Sequence, residues 1–282
     1  MTLPTVHHKE YPVTSDTYLN LYSGIDNVKL EKFVHYTEMT KDQKTTFESF
    51  VAAVEEENNE DKWDAIQPDK LTCLRFLQAD KYDTGMAMAR LIKNQAWLKD
   101  ANIPVLLTTP PAKLETYRKL RARAYMGRTT NNTGMPIFVE RLGEFMNGIA
   151  SPEGKTLTGQ DFQDCFLYDL GELLGHIRDS YAKTCDDDAI ATTWRATWIM
   201  DCQNVRFFRA TKATGTLKLL DGCTEPNFPE LAGPVTIMNV PSIVSGVWRV
   251  CRAFLDATVA AKIQIHSGIP KDELLERMSE SV

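Results

Sequence analysis

Residues 229–262, PELAGPVTIMNVPSIVSGVWRVCRAFLDATVAAK, decide how this chain folds, because an apolar strand, a proline break and an amphipathic helix follow one another directly. The run 235–240 is short and mostly apolar, which is typical of a buried parallel strand, and Pro241 ends it. Ser242 is a suitable N-cap for the helix. This helix is either a core-packing element or a lid over an apolar container, and its apolar stripe consists of Ile243, Val244, Val247, Trp248, Cys251, Phe254 and Leu255.

Two further stretches carry a family pattern. Residues 71–83 are LTCLRFLQADKYD, and residues 134–143 are GMPIFVERLG. With residues 229–265 they resemble the CRAL-TRIO lipid-transfer domains, which have approximately L-x-R-F-L-R-A-R-K-F-D, then D-x-x-G-R-P-V-x-x-x-x-L-G, then P-E-x-x-G and N-x-P before a gate helix. Each stretch is short, but the three keep the family's order, and together they span about residues 68–265.

The pattern beyond residue 115 predicts an α/β fold. Strand candidates at 137–142, 196–201, 235–240 and 262–266 alternate with helical stretches near 160–182 and 207–222, which indicates a mainly parallel sheet with crossover helices. The resemblance implies that one face of this sheet floors an apolar pocket and that residues 242–255 gate it.

A small all-helical domain is expected before the sheet. Thr40 and Gln43 fit a capping box, and helices near 69–79 and 84–99 follow, the second capped by Asp83. Prolines 104, 110 and 111 indicate a linker. We expect an irregular arm over 1–38, the helical domain over 39–103 and the lipid-binding domain over 115–282.

The resemblance also implies headgroup-binding residues. In phosphatidylinositol-binding members four positions help to hold the inositol headgroup, and these are matched here by Lys81, Glu230, Thr258 and Lys262. A lysine neutralises a phosphate and a carboxylate accepts from inositol hydroxyls, so the residue types suit the task. A structural ion pair between Glu230 and Lys262 is the alternative.

Several departures from the family leave the lipid open. The family's arginine in A-R-K is Asp80 here, which would repel a phosphate if it faced the pocket. Ala196 and Trp198 replace small hydroxyl residues that some members use for phosphocholine, and Asn204 replaces a glycine in D-L-x-G. The family's L-P-x-x-Y-G-G tail is not found.

Charge is unevenly distributed along the 282 residues, whose net charge is −6. Residues 69–149 carry 13 Lys and Arg against 7 Asp and Glu, and the densest cluster contains Arg118, Lys119, Arg121 and Arg123. This cluster is either a membrane patch for anionic headgroups or a solvated helix face. The acidic balance, and the lack of aromatic residues within the cluster, argue against nucleic-acid binding.

Motifs for catalysis, metals or cofactors are not found. The five histidines lie in no metalloprotease or metal-ligand spacing, and there is no phosphate-binding loop. Six cysteines without a C-x-x-C pair indicate buried reduced thiols, and Asp186, Asp187 and Asp188 indicate a solvated turn. The first residues have no apolar run of signal-peptide length, and prolines, glycines and polar residues interrupt the longest uncharged stretch, 231–248.

These observations predict a cytoplasmic, monomeric, non-enzymatic protein without cofactor. It would hold one hydrophobic lipid, such as phosphatidylinositol, under the gate helix and exchange it at transiently bound membranes. A lipid-sensing signalling or scaffold module with a protein partner is an alternative. A third possibility is an enzyme or a haem-type pocket that uses Tyr168 or His176.

Overall fold

The computed structural model describes residues 39–58, 68–106, 109–129, 135–184, 195–224, 226–241 and 262–275, and elements are numbered within these ranges. The predicted arm over 1–38 lies outside the described residues.

The described chain begins with four helices, α1 (Lys41–Asn58), α2 (Lys70–Ala79), α3 (Thr84–Asp100) and the short α4 (Ile103–Leu106). The predicted caps are confirmed. Thr40 and Gln43 bond each other's backbone N–H, at 2.9 and 3.2 Å, and Asp83 accepts from the Met86 N–H at 2.9 Å. Pro104, predicted to be in a linker, is instead the second residue of α4, where the first turn tolerates proline.

The rest of the described chain alternates helices and strands. Helix α5 (Leu114–Leu120) is followed by β1 (Arg123–Arg128), β2 (Pro136–Glu140), α6 (Leu142–Ile149), α7 (Gly159–Thr184), β3 (Ala196–Asp201), α8 (Phe207–Thr224), β4 (Ala232–Met238), β5 (Ile263–Ile265) and α9 (Lys271–Leu275). The strands form one sheet in the order β1-β2-β3-β4-β5. Strand β1 pairs antiparallel with β2, and the other pairs are parallel. The predicted α/β class is therefore confirmed, with β1 as an additional edge strand.

The two faces of the sheet pack differently. On one face Ile137, Val139, Ile199 and Met238 are fully buried with Leu274 of α9. On the other face a register row crosses every described strand and consists of Tyr125, Phe138, Trp198, Val235 and Ile263. Because side chains alternate between faces along a strand, residues two positions away from this row share its face.

The N-terminal helices share a hydrophobic core with the sheet domain. Leu74 of α2 and Leu91 of α3 are fully buried in the same cluster as Leu170 and Leu173 of α7 and Phe138 of β2. This packing fixes the turn between α2 and α3 against the second face of the sheet.

Candidate functional site

Three charged side chains meet at the amino ends of the parallel strands. Arg195 directly precedes β3, Glu230 lies two residues before β4, and Lys262 directly precedes β5. Lys262 Nζ donates to Glu230 Oε2 at 2.7 Å, and Arg195 Nη2 lies 2.6 Å from the same oxygen. We call these three residues the amino-edge cluster. Two cations on one carboxylate give the cluster a net charge of +1.

The carboxyl end of α2 reaches this cluster. Arg195 Nη2 donates to Gln78 Oε1 at 3.0 Å, and Gln78 Nε2 donates to the Tyr82 hydroxyl at 3.2 Å. Burial raises the pKa of Tyr82, although the Gln78 hydrogen bond and the charge of Arg195 act in the opposite direction. Lys81, in the same turn, is exposed.

The loop that carries Glu230 is held by α3. Asn94 Nδ2 donates to the Asn227 carbonyl at 3.1 Å, and Trp97 meets Phe228 edge to face at 5.9 Å. Glu230 itself has φ 59°, a conformation that costs a non-glycine residue energy unless its surroundings hold it. The contacts from α3 therefore position the shared carboxylate.

An apolar strip adjoins the cluster on the second face of the sheet. Its five side chains come from β3, β4 and β5 and are half-buried, whereas Tyr125 and Phe138, from β1 and β2, pack with His176 of α7. We call this strip the apolar floor; it consists of Trp198, Met200, Ile237, Ile263 and Ile265. A net positive edge beside an apolar floor matches an amphiphile with an anionic end.

The sequence-predicted headgroup residues have different outcomes. Glu230 and Lys262 meet in the ion pair that was the alternative to a headgroup role, and Arg195 adds a second cation to it. Lys81 lies in the turn after α2, whose residue Gln78 contacts the cluster. Thr258 lies outside the described residues. So do the predicted gate residues Ile243, Val244, Val247, Trp248, Cys251, Phe254 and Leu255, together with Asp186, Asp187 and Asp188.

The structure corrects the predicted membrane patch. Arg121 is buried, with Nε and Nη2 donating to the two carboxylate oxygens of Glu140 at 3.0 and 2.9 Å. Arg123 is also buried and donates to the Asp169 carbonyl at 3.1 Å. The predicted patch is therefore not a single surface.

Helix α7 packs against part of the predicted membrane patch. Arg118 is half-buried and donates to Asp169 and Glu172 of α7 at 3.0 and 2.7 Å. Lys119 alone among the four predicted residues is exposed. Arg118 and Arg123 thus pair with carboxylates of α7, whereas Arg121 pairs with Glu140 of β2.

Asp80, the sharpest departure from the family, also faces inward. Its side chain is only 2% exposed, and Arg90 Nη2 donates to Asp80 Oδ1 at 2.7 Å. Its charge is therefore balanced within the helical region. The interpretation that Asp80 repels a phosphate at the pocket mouth is wrong, because that interpretation requires an accessible side chain.

The structure does not bring Tyr168 and His176 together. They lie eight residues apart on α7, about 12 Å along the helix axis. Arg118 lies over the Tyr168 ring at 5.7 Å, and His176 stacks on Tyr125 at 4.1 Å. The two side chains therefore form no common pocket wall.

The described cysteines do not support thiol chemistry. Cys73, Cys165, Cys202 and Cys223 are buried and unpaired, as predicted. Burial raises the pKa of Cys73 and Cys165 to about 12, which leaves almost no nucleophilic thiolate at neutral pH. Across the described ranges, no group of three His, Cys, Asp or Glu residues is placed to hold a metal ion.

Arg195 and Gln78 were not predicted as site residues from the sequence. Arg195 is the charged residue directly before a predicted strand, and that position was the available signal.

Within the described ranges, no helix combines the length and the apolar character that a membrane span requires.

Comparison with known proteins gives consistent matches. The sequence pattern of the CRAL/TRIO domain matches residues 125–282. The SEC14 cytosolic factor of Yarrowia lipolytica is 25% identical over 219 residues, which cover 74% of this chain and 41% of that protein. The Sec14 cytosolic factor of Schizosaccharomyces pombe is 24% identical, with 74% and 71% covered.

Two further comparisons extend this similarity. The phosphatidylinositol/phosphatidylcholine transfer protein SFH11 of Arabidopsis thaliana is 23% identical, and the match covers 76% of this chain and 55% of that protein. The chain thus spans less than two thirds of several relatives. The crystal structure of Sfh5 shares the fold, with a TM-score of 0.56 at 14% identity over 82% of each chain.

Proposed function

This chain belongs to the CRAL/TRIO domain family, and from that premise we propose that it binds one lipid and transfers it between membranes. The lipid's acyl chains would lie on the apolar floor, and its headgroup would lie at the amino-edge cluster. We place the protein in the cytoplasm, as a monomer that meets membranes transiently. The names of the cytosolic-factor relatives support that placement.

One observation carries this proposal. Arg195 and Lys262 share one oxygen of Glu230 directly beside the half-buried strip of β3, β4 and β5. A phosphate can join two cations through charge-assisted hydrogen bonds, while the carboxylate can accept from headgroup hydroxyls. The residue types therefore suit an anionic phospholipid with a hydroxylated headgroup.

Phosphatidylinositol is the ligand that we propose first. The name of the SFH11 relative includes this lipid, and Asp80 does not oppose it because Arg90 neutralises its charge. Arg195 adds a cation where Gln78, near the end of α2, meets the strands. Phosphatidylcholine is less suited, since Ala196 is fully buried and Trp198 belongs to the apolar floor.

A lid explains why transfer would occur at membranes. Moving a lipid of ~30 methylenes into water costs on the order of 24 kcal/mol at ~0.8 kcal/mol per methylene, so free exchange through water is prohibitively slow. We propose that residues 242–255 cover the lipid in solution and open on a bilayer. The apolar stripe of that segment would then contact membrane instead of water.

Vesicle-to-vesicle transfer tests this function. Donor vesicles carry radiolabelled phosphatidylinositol, acceptor vesicles carry none, and label in the acceptors is counted with and without protein. We expect catalytic amounts of protein to accelerate transfer. Stable lipid binding without acceleration would instead support the lipid-sensing module.

A further inference from the structure

We propose that the start of α8 is the surface by which this protein docks on an anionic bilayer. The inference rests on the proposed function and names the contact through which the lipid would be exchanged. It replaces the predicted patch on α5 and β1, in which Arg121 and Arg123 are buried.

Phe208, near the start of α8, has a strongly exposed side chain. Its side chain is 81% exposed, the highest value among the exposed large apolar side chains of the described residues. The next exposed apolar residue on α8 is Leu219, at 38%, three turns further along the helix. One exposed aromatic side chain offers far less area than the roughly 800 Å² per partner that a stable protein interface buries. Phenylalanine is one of the residues found on the membrane-facing side of helices that lie at a bilayer surface.

The sequence around Phe208 is positively charged. Residues 202–220 contain four basic residues and no acidic residue, although the chain as a whole has a net charge of −6. Arg206 and Lys212 are exposed on either side of Phe208, Arg209 is half-buried, and Lys218 is exposed two turns further along. Basic residues close to an acidic leaflet each strengthen binding about fivefold. The local charge therefore complements an anionic bilayer.

Helix α8 begins near the carboxyl edge of the sheet. Helix α8 follows the carboxyl end of β3, and Asn239 Nδ2 donates to Asp201 Oδ1 at 2.8 Å, which joins the carboxyl ends of β3 and β4. The chain continues from that edge into residues 242–255, the proposed gate. Docking through Phe208 would thus bring a bilayer to the edge where the gate segment starts.

The turn before α8 is firmly held. Asn204 adopts φ 61°, which fits the asparagine that replaces the family's glycine. Asn147 of α6 donates to the Asn204 carbonyl at 2.8 Å and accepts from the Arg206 N–H at 3.2 Å. Phe208 is therefore presented on a fixed support, so its insertion requires no local folding.

Co-sedimentation with vesicles tests this surface. Sucrose-loaded vesicles of phosphatidylcholine with 30 mol% phosphatidylserine are titrated against the full chain and against Phe208→Ser, Phe208→Trp and Lys212→Gln. We expect Phe208→Ser to weaken binding about tenfold, because serine cannot insert an aromatic ring into the bilayer. Lys212→Gln should weaken binding about fivefold, and this loss should disappear at high salt. Phe208→Trp should retain binding.

Matched controls separate docking from folding and from lipid loading. Met86→Ser and Lys93→Gln change an exposed apolar residue and an exposed cation on α3, and both should bind vesicles like the parent. Phospholipid loading of Phe208→Ser, measured by mass spectrometry, should be unchanged, so failure of docking would leave the proposed function intact. Binding of Phe208→Ser within twofold of the parent, or an equal loss in Met86→Ser, would overturn the inference. Self-association that Phe208→Ser abolishes, without vesicle binding by the parent, would also overturn it.

Discussion

Replacing Lys262 by alanine tests the headgroup role of the amino-edge cluster. The side chains of Lys262 and Glu230 are 15% and 20% exposed, so a phosphate held there would be largely desolvated. Losing one charge-assisted hydrogen bond to it should cost about 1.5 to 3 kcal/mol, which is about 10- to 150-fold in affinity. A neutral headgroup should lose much less.

The fold should tolerate this substitution. Arg195 remains 2.6 Å from the shared oxygen of Glu230, so the carboxylate keeps a cationic partner. We therefore expect the free energy of unfolding to fall by no more than about 1 kcal/mol. This separates Lys262→Ala from substitutions that leave a buried charge without a partner.

Competitive loading provides the assay. Lipid-free protein is incubated with vesicles that contain equal amounts of phosphatidylinositol and phosphatidylcholine, then re-isolated, and the bound lipids are quantified by mass spectrometry. The ratio of phosphatidylinositol to phosphatidylcholine should fall at least tenfold in Lys262→Ala. It should stay at the parent value in Lys119→Ala, which removes an exposed cation from α5. An equal decrease of both lipids would mean that Lys262 has a structural role, and the headgroup assignment would be abandoned.

Three further predictions follow from the fold and from the proposed gate. The double substitution Val247→Asp with Phe254→Asp should abolish transfer between vesicles; full transfer by a folded double variant would remove the gate assignment. Glu140→Ala leaves a buried guanidinium without its bidentate partner, so urea titration should show a loss of about 3 to 5 kcal/mol, and a loss below about 1 kcal/mol would contradict the observed pairing. Asp80→Arg places a cation beside Arg90, so it should lower the melting temperature without strengthening phosphatidylinositol binding; tighter binding with unchanged stability would contradict the inward orientation of Asp80.

Local signals in the sequence predicted much of the fold. The capping residues Thr40 and Asp83 act within three positions of themselves. The mostly apolar runs 196–201 and 235–240 correspond to β3 and β4, although β4 begins at Ala232 and ends at Met238. Strand β1 was missed because it contains Arg123 and Arg128, and an edge strand needs no apolar run. Strand β1 is stabilised by its backbone hydrogen bonds to β2, and its own sequence does not show this pairing.

The site was predictable only in part, because its members are distant in sequence. Glu230 and Lys262 were found through family resemblance, whereas Arg195 meets Gln78 across 117 residues through the alignment of the strand ends. Helical spacing also did not show that α7 would pack over Arg118 and that Arg118 and Arg123 would pair with its residue Asp169. Burial of a helix face depends on which element packs against it.

Native mass spectrometry of the purified protein determines whether it carries a lipid. We expect a mass increase of one phospholipid per monomer, and extraction should identify this lipid as an anionic species with a hydroxylated headgroup. A chain that stays free of lipid, both as purified and after incubation with mixed anionic vesicles, would contradict lipid binding. If the purified protein had an absorbance band typical of haem, its ligand would be a haem and not a lipid.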